Sequence, residues 1–370
     1  MRVLYVSPGG SVHDRRFLQA IRAADLQVGW LRLVDHPIPR AMPEGVLDLS
    51  PHPAPPGDRP WQVVRARRDL ATAIRAYRPT VVHAGPIQQA AFVAALAGAR
   101  PLVSMSWGSD LLRNAARGWG RWQAKYVLGR SQLLLCDCQA VRRRAIELGA
   151  AQDRIVVFPW GVDLQRFRPG RRSTIRAQLG WEDSFVVLSA RTLEPIYGVD
   201  ILIEGFVRAA AGEPRLRLLL LSDGGMRDSL VRTVDRAGLQ ARVHFAGAIE
   251  EGDLPDYYRA ADLYVSASRS DGSSVTLLEA MACGVPVLVS DIPGNREWVD
   301  PDDGGWLFRD GEPDALASGL QRALAGSRRL PEMGRKGRAI AVARADWSAN
   351  SRMLLDAYQL VTSQGPRDAP

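Results

Sequence analysis

Cysteine is scarce in this chain of 370 residues, and its placement excludes two classes of protein. Cys136, Cys138 and Cys283 are the only three. The first two lie two apart inside a strand-like run, which is the spacing of neither a zinc cluster nor a disulfide framework, so reduced, buried thiols are expected. Histidine is nearly as rare, five in all, and neither His13 nor His83 stands at a metal-ligand spacing. No apolar run reaches the roughly 18 residues of a membrane-spanning helix. The amino terminus enters an apolar strand directly, without the basic and then apolar pattern of a leader, which points to a cytoplasmic protein. Pro8-Gly9-Gly10 follows that strand, where glycines let a ligand approach the backbone, but the full glycine pattern of a dinucleotide fold is missing, which is a poor fit to a nicotinamide cofactor.

What the chain does have is an ordinary globular composition, 46% hydrophobic and 24% charged, at a length that calls for two domains. Charge is divided unevenly. Residues 1–170 carry 24 Lys+Arg against 12 Asp+Glu, whereas residues 171–370 carry 24 against 28. A basic first half suits a phosphorylated substrate, an anionic membrane or nucleic acid, and charge alone does not choose among them. No aromatic-basic nucleic-acid motif accompanies it, so no nucleic acid partner is expected.

Short β-rich runs alternate with segments of helical length. Arg2–Ser7, Val28–Val34, Thr80–His83, Pro101–Ser106, Gln132–Asp137 and Arg154–Pro159 read as strands, then, beyond Phe167-Arg168-Pro169-Gly170-Arg171-Arg172, Phe185–Ala190, Leu216–Ser222, Arg242–Ala246, Asp262–Ala267 and Pro286–Asp291. The alternation predicts an α/β protein of two doubly wound parallel-sheet domains facing a central cleft. Residues 1–168 form the first, 173–346 the second, and a helix at about 347–363 is expected to pack back on the first. Pro51 to Pro60 reads as a loop and Gly365 to Pro370 as a frayed tail.

Ligands of such sheets bind beyond the carboxyl ends of the strands. There, Ser268 to Asp291 reads as a strand end, a Gly-Ser-Ser loop, a helix from about Ser274 to Ala282, a stop at Gly284 and a buried strand. Backbone amides of Gly272, Ser273, Ser274 and Val275 at a helix start suit a phosphate. Asp271 and Glu279, eight residues apart, can touch different parts of one ligand, Glu279 reaching vicinal hydroxyls; a plain surface carboxylate on an amphipathic helix is the competing assignment. Ser106-Trp107-Gly108-Ser109-Asp110 follows another strand, and Asp110 either orients an acceptor hydroxyl or caps the next helix. His13 and His83 either face the acceptor or are hydrogen-bonded structural residues. Arg113, Arg117, Arg121 and Lys125 recur every four positions beside Trp119, Trp122 and Tyr126, which fits an interfacial membrane helix or a solvated helix with its aromatics in the core.

The segment Ser-Arg-Ser-Asp-Gly-Ser-Ser-Val-Thr-Leu-Leu-Glu-Ala-Met-Ala-Cys-Gly-Val-Pro resembles the signature of the family 4 retaining glycosyltransferases of GT-B fold, with two Rossmann-like domains. Other pieces follow in order: Phe158-Pro159-Trp160-Gly161-Val162-Asp163 resembles the family's interdomain turn, Arg191 to Asp200 its diphosphate-clamping loop, Leu221-Ser222-Asp223-Gly224-Gly225 its Gly-rich loop and Val243-His244-Phe245-Ala246-Gly247 the strand toward the base pocket. Ser106 to Asp110 resembles a His-Gly-x-Asp segment at the cleft. The resemblance covers nearly all of the second domain.

It implies a hexosyltransferase-like enzyme, of the EC 2.4 class, moving sugar with retention from a UDP-, GDP- or ADP-sugar to a hydroxyl of a glycan, a lipid-linked or a small-molecule acceptor. Carried over, Asp271 contacts the sugar, Glu279 the ribose, Arg191 the diphosphate, and Gly247 to Glu250 the base. Asp110, Arg191 and Asp271 become the catalytic candidates; Gly9, Gly10, His13, His83 and Trp107 become the acceptor side. No bound cofactor and no metal are required. Three departures stand out: Asp271 replaces the usual Glu, Trp107 a frequent His, and Tyr197 the lysine that shares the diphosphate with Arg191. Such a charge pair is worth about 4 kcal/mol at an effective dielectric near 20, so Tyr197, Arg269 or the loop amides must help the leaving group. The alternatives are a nucleotide-sugar epimerase or hydrolase of the same architecture, or a catalytically weak nucleotide-sugar binder. An anionic inner membrane face remains a candidate partner of the basic half.

Overall fold

The computed structural model describes residues 1–34, 42–50, 60–170, 173–300 and 304–363. Most of the expected Pro51 to Pro60 loop, Arg171 and Arg172 of the expected linker, and the tail from Gly365 lie outside the described residues.

The chain forms two compact units. The first comprises Met1–Pro159 with the chain from Ser348 on, and the second Trp160–Trp347. The Pro169-Gly170 turn expected as the linker therefore belongs to the second unit, where the Gly170 backbone approaches Arg259, whose Nε donates to the carbonyl of Arg168.

In the first unit, β1 (Arg2–Ser7), β2 (Gln27–Arg32), β3 (Val46–Asp48), β4 (Val81–Ala84), β5 (Leu102–Met105), β6 (Leu133–Cys136) and β7 (Ile155–Val157) build one parallel sheet in the order β3-β2-β1-β4-β5-β6-β7. The second unit repeats the plan with β8 (Phe185–Ser189), β9 (Leu216–Leu221), β10 (Val243–Gly247), β11 (Leu263–Ser266), β12 (Val287–Ser290) and β13 (Gly305–Phe308), in the order β10-β9-β8-β11-β12-β13. Central strands such as Leu133-Leu134-Leu135-Cys136 and Val287-Leu288-Val289-Ser290 are buried on both faces, which is why they read as continuous apolar runs rather than alternating ones. All three cysteines are free and buried.

In each sheet the winding reverses between two adjacent strands, β1 and β4 in the first and β8 and β11 in the second. The loops leaving the carboxyl ends of such a pair diverge to opposite faces and open a crevice. Arg191 follows β8, and Asp271 follows β11. The first unit also holds the helix Trp347–Ser363, whose buried Tyr358 hydroxyl lies 2.6 Å from His83 Nδ1 on β4.

Candidate functional site

The second unit concentrates its polar, buried groups at the β8–β11 crevice. Arg191 is only 9% exposed. Its Nη1 donates to Ser274 Oγ at 2.7 Å and Thr276 Oγ1 at 3.2 Å, and its Nη2 lies 2.8 Å from Asp271 Oδ2. The guanidinium carbon stands 4.0 Å from the centre of the Tyr197 ring. Burial, the largest single influence, pulls the Arg191 pKa down, but Asp271 together with Tyr197, Tyr264 and Tyr258 outweighs it and the net shift is upward, so the cation is permanent. Its Nε is buried without a hydrogen-bond acceptor among the described residues. Four side chains, from two loops and the first turn of the helix Val275–Ala282, thus fix this guanidinium and leave one donor uncommitted.

Thr276 is itself held by the Tyr264 hydroxyl at 2.7 Å. Ser274 precedes the helix Val275–Ala282, and Gly284 ends it at φ +75°. Glu279 is 6% exposed on that helix, and its Oε2 accepts from the Tyr258 hydroxyl at 2.8 Å. Ser273 Oγ accepts from Trp298 Nε1 at 3.1 Å. Of the four amides expected to face a phosphate, that of Gly272 is already given to Asp271 Oδ1 at 3.0 Å. The surface-carboxylate assignment of Glu279 does not hold, because the group is buried.

Two further loops are tied to this one. Gly198 adopts φ +59° with its Cα against the Ala267 carbonyl, a place no side chain could occupy. Gly224 likewise lies against the Leu193 backbone; Leu193 N donates to Asp223 O, Met226 N to Leu193 O, and Gly225 N to Glu194 Oε1 at 2.8 Å. Gly247, at φ +72°, accepts from Ser222 N at 2.6 Å. Arg269 pairs with Asp200 at 3.2 Å. Among the described residues no group of three or more His, Cys, Asp or Glu is placed to hold a metal ion, and no helix is long and apolar enough to cross a membrane.

In the first unit, Gly9 and Gly10 both take positive φ after β1, and the His13 and Trp107 rings come within 5.8 Å of each other. Trp107 Nε1 is a buried donor with no acceptor among the described residues. These groups converge beyond the carboxyl ends of β1 and β5.

Asp110 and His83 do not join them. Asp110 is 4% exposed, and its two oxygens accept from Ser106 Oγ at 2.5 Å, Leu111 N at 2.9 Å, Ile87 N at 2.9 Å and Trp107 N at 3.2 Å. Burial raises its pKa, opposed by those hydrogen bonds. A carboxylate so occupied has no lone pair left for an acceptor; it is a positioning group that clamps the Trp107 loop. Asp110→Asn is expected to cost about 2 kcal/mol of stability, because an amide nitrogen would face N–H donors. Urea unfolding measures this, and lost activity with unchanged stability would restore the acceptor role. His83 is a core residue, with Tyr5 and Phe17 edge-on at 5.0 and 5.6 Å.

The expected single basic helix from Arg113 is also interrupted. A π-helical turn spans Asp110–Asn114, the backbone then breaks, and an α-helix runs only over Gly118–Leu128. Gly118 at φ +62° marks the break.

The family model described as Glycosyltransferase Family 4 matches residues 9–166, and that described as Glycosyl transferases group 1 matches residues 171–340. A D-inositol 3-phosphate glycosyltransferase of Segniliparus rotundus is 31% identical over 251 residues, covering 65% of this chain and 56% of its own. One of Xylanimonas cellulosilytica is 30% identical over 298 residues, covering 75% and 70%. The chain thus spans little more than half of the Segniliparus protein. Among solved structures, the sucrose-phosphate synthase of Thermosynechococcus elongatus superposes with a TM-score of 0.82 at 21% identity, covering 99% of this chain and 100% of that one. The Anabaena protein Alr3699/HepE in complex with UDP-glucose gives 0.80 at 23%, covering 97% and 100%. Two parallel-sheet units, neighbours of this GT-B kind and a family model over each unit lead to one assignment: the chain belongs to family 4 of the glycosyltransferases, the group 1 glycosyl transferases.

Proposed function

We propose that this protein is a retaining glycosyltransferase that moves a sugar from a nucleoside diphosphate sugar to a hydroxyl acceptor. The carrying observation is Arg191, a buried, permanently charged guanidinium held by Asp271, Ser274, Thr276 and Tyr197 with its Nε uncommitted. A diphosphate is the ligand whose charge and acceptor oxygens answer that donor. Glu279, held by Tyr258, takes the ribose hydroxyls, and the loop after β10 at Gly247 takes the base. Asp271 faces the donor sugar.

In the reaction, the acceptor hydroxyl approaches the anomeric carbon on the face from which the diphosphate leaves. The bond to the phosphate oxygen breaks, the bond to the acceptor oxygen forms, and the acceptor proton passes to the departing phosphate oxygen. Arg191 and the amides beside Ser274 stabilise the charge gathering on that oxygen. The His13, Trp107 and Gly9-Gly10 loops supply the acceptor side, with Trp107 Nε1 the donor available to it. The basic first half suits an anionic acceptor, in keeping with relatives named for inositol 3-phosphate.

Because a fixed cation already meets the diphosphate, full activity in excess EDTA is expected, and abolished activity would overturn this part of the mechanism. Thermal-shift screening against UDP, GDP, ADP and their sugars tests the donor; UDP is the first choice, given UDP-bound neighbours. One selective nucleotide should raise the melting temperature by mass action. A flat response to all of them would remove the proposal.

A further inference from the structure

We infer that the helix Gly118–Leu128 is a docking surface for an anionic lipid bilayer. Trp119 is 64% exposed and Trp122 46% exposed on this helix. Their rings stack at 4.6 Å and 12°, and Trp122 continues onto Tyr126 at 5.2 Å and 27°. Spaced three and four residues apart, the three form one stripe along the helix, opposite Ala124, Val127 and Leu128, which are buried. Phe92 meets all three rings edge-on at 5.8 to 6.1 Å, so the ledge is braced from beneath rather than free to turn inward. The helix Pro60–Tyr77, which also packs against Phe92–Leu96, exposes Trp61 and Val64 as well. Indole rings kept facing outward, with an apolar body and a polar N–H, suit the boundary between headgroups and acyl chains.

Charge decides what covers the ledge. Between Asp110 and Asp137 there is no acidic residue, whereas Arg113, Arg117, Arg121, Lys125 and Arg130 all fall there and all are exposed. Among the described residues none of the five pairs with a carboxylate. Arg130 lies over the Tyr126 ring at 3.6 Å, so cation and ledge share one surface. A second copy seated by this same face would oppose like charges and is disfavoured, whereas an anionic headgroup layer complements the cations. Each basic residue near such a layer strengthens binding by about fivefold, and the indoles insert beside them.

The test is co-sedimentation of the full chain with vesicles of phosphatidylcholine alone or with about 30 mol% phosphatidylglycerol, enough to give the negative surface potential this model needs. Binding is expected only to the anionic vesicles and is expected to be released by high salt. The pairs Trp119→Ser with Trp122→Ser, and Arg121→Gln with Lys125→Gln, should each weaken it by about tenfold or more. Melting temperatures measured alongside exclude unfolding as the cause, and the Arg121→Gln with Lys125→Gln pair, whose side chains are exposed and pack on no ring among the described residues, is expected to keep that of the parent. No sedimentation of the parent, equal binding to neutral vesicles, or binding undiminished in both variants would overturn the inference. So would a Trp119-dependent dimer in lipid-free buffer, seen by analytical ultracentrifugation.

Discussion

Replacing Arg191 with alanine is expected to lower kcat by about 10²- to 10³-fold, the loss seen when one pre-set donor to a developing anion is removed. The guanidinium is pre-set here to an unusual degree, with two hydroxyls, a carboxylate and an aromatic face holding it before any ligand arrives. Arg191→Lys keeps the charge but not the planar fork, so it should recover only part of the rate. Stability will also fall in the alanine variant, because Asp271 loses its counterion, and rates must be compared at a temperature where both proteins are folded. An unchanged kcat would sink the assignment of Arg191 to the diphosphate. Tyr197 supplies a second arm. If its ring matters through stacking, Tyr197→Phe stays near the parent rate and Tyr197→Ala does not; if its hydroxyl replaces the absent lysine, Tyr197→Phe is already impaired by about tenfold or more.

The first unit is expected to carry an acid-labile seam at His83. Burial drives the pKa of this imidazole from its ordinary value of 6.5 down to about 3, so the folded state refuses a proton that the unfolded chain accepts. The contribution is intact above pH 6.5 and is lost as pH falls from there toward 3. The slope builds up to about 1.4 kcal/mol per pH unit, so the span from pH 6.5 to 4.5 removes about 2 kcal/mol. Asp14 and Asp110, both raised by burial, act with the opposite sign, since the folded protein binds their protons more readily. They are common to parent and variant. His83→Gln can still bond the Tyr358 hydroxyl yet does not titrate, so the difference between the two unfolding curves isolates His83. Urea midpoints that fall in parallel below pH 6.5 would refute the prediction.

How much of this was legible before the structure follows from where each signal resides. Strands buried on both faces, such as β6 and β12, announce themselves in composition alone, and the expected bounds differ from those observed by one or two residues. The missed strands β3 and β13 carry little signal: Val46–Asp48 is three residues at a sheet edge, with Leu47 exposed, and Gly305–Phe308 opens on a glycine and follows Asp302-Asp303-Gly304. Arg191, Asp271 and Glu279 were readable because a loop motif is local. Their partners Tyr258, Tyr264 and Thr276 were not, since the first two come from a helix and a strand whose register no motif records. Asp110 and His83 each kept two open roles for a related reason: a strand-end address does not say whether a side chain turns toward solvent or into the fold. Four N–H and O–H donors around Asp110, one of them from Ile87 on a distant segment, settle the matter only once the chain is folded. The stripe from Arg113 to Lys125 is not one helix face because periodicity presumes one continuous helix, and Gly118 at positive φ ends that presumption.

The helix that brings Tyr358 to His83 has a consequence for how the chain is made. A ribosome releases the seven strands of the first sheet early, but the side chain that closes over β4 comes only after every residue of the second unit has been synthesised. The later unit is therefore the first that can be completed, and the earlier one waits with His83 uncovered. A nascent chain halted after Trp347 would hold a finished second unit and a first one still missing its last wall.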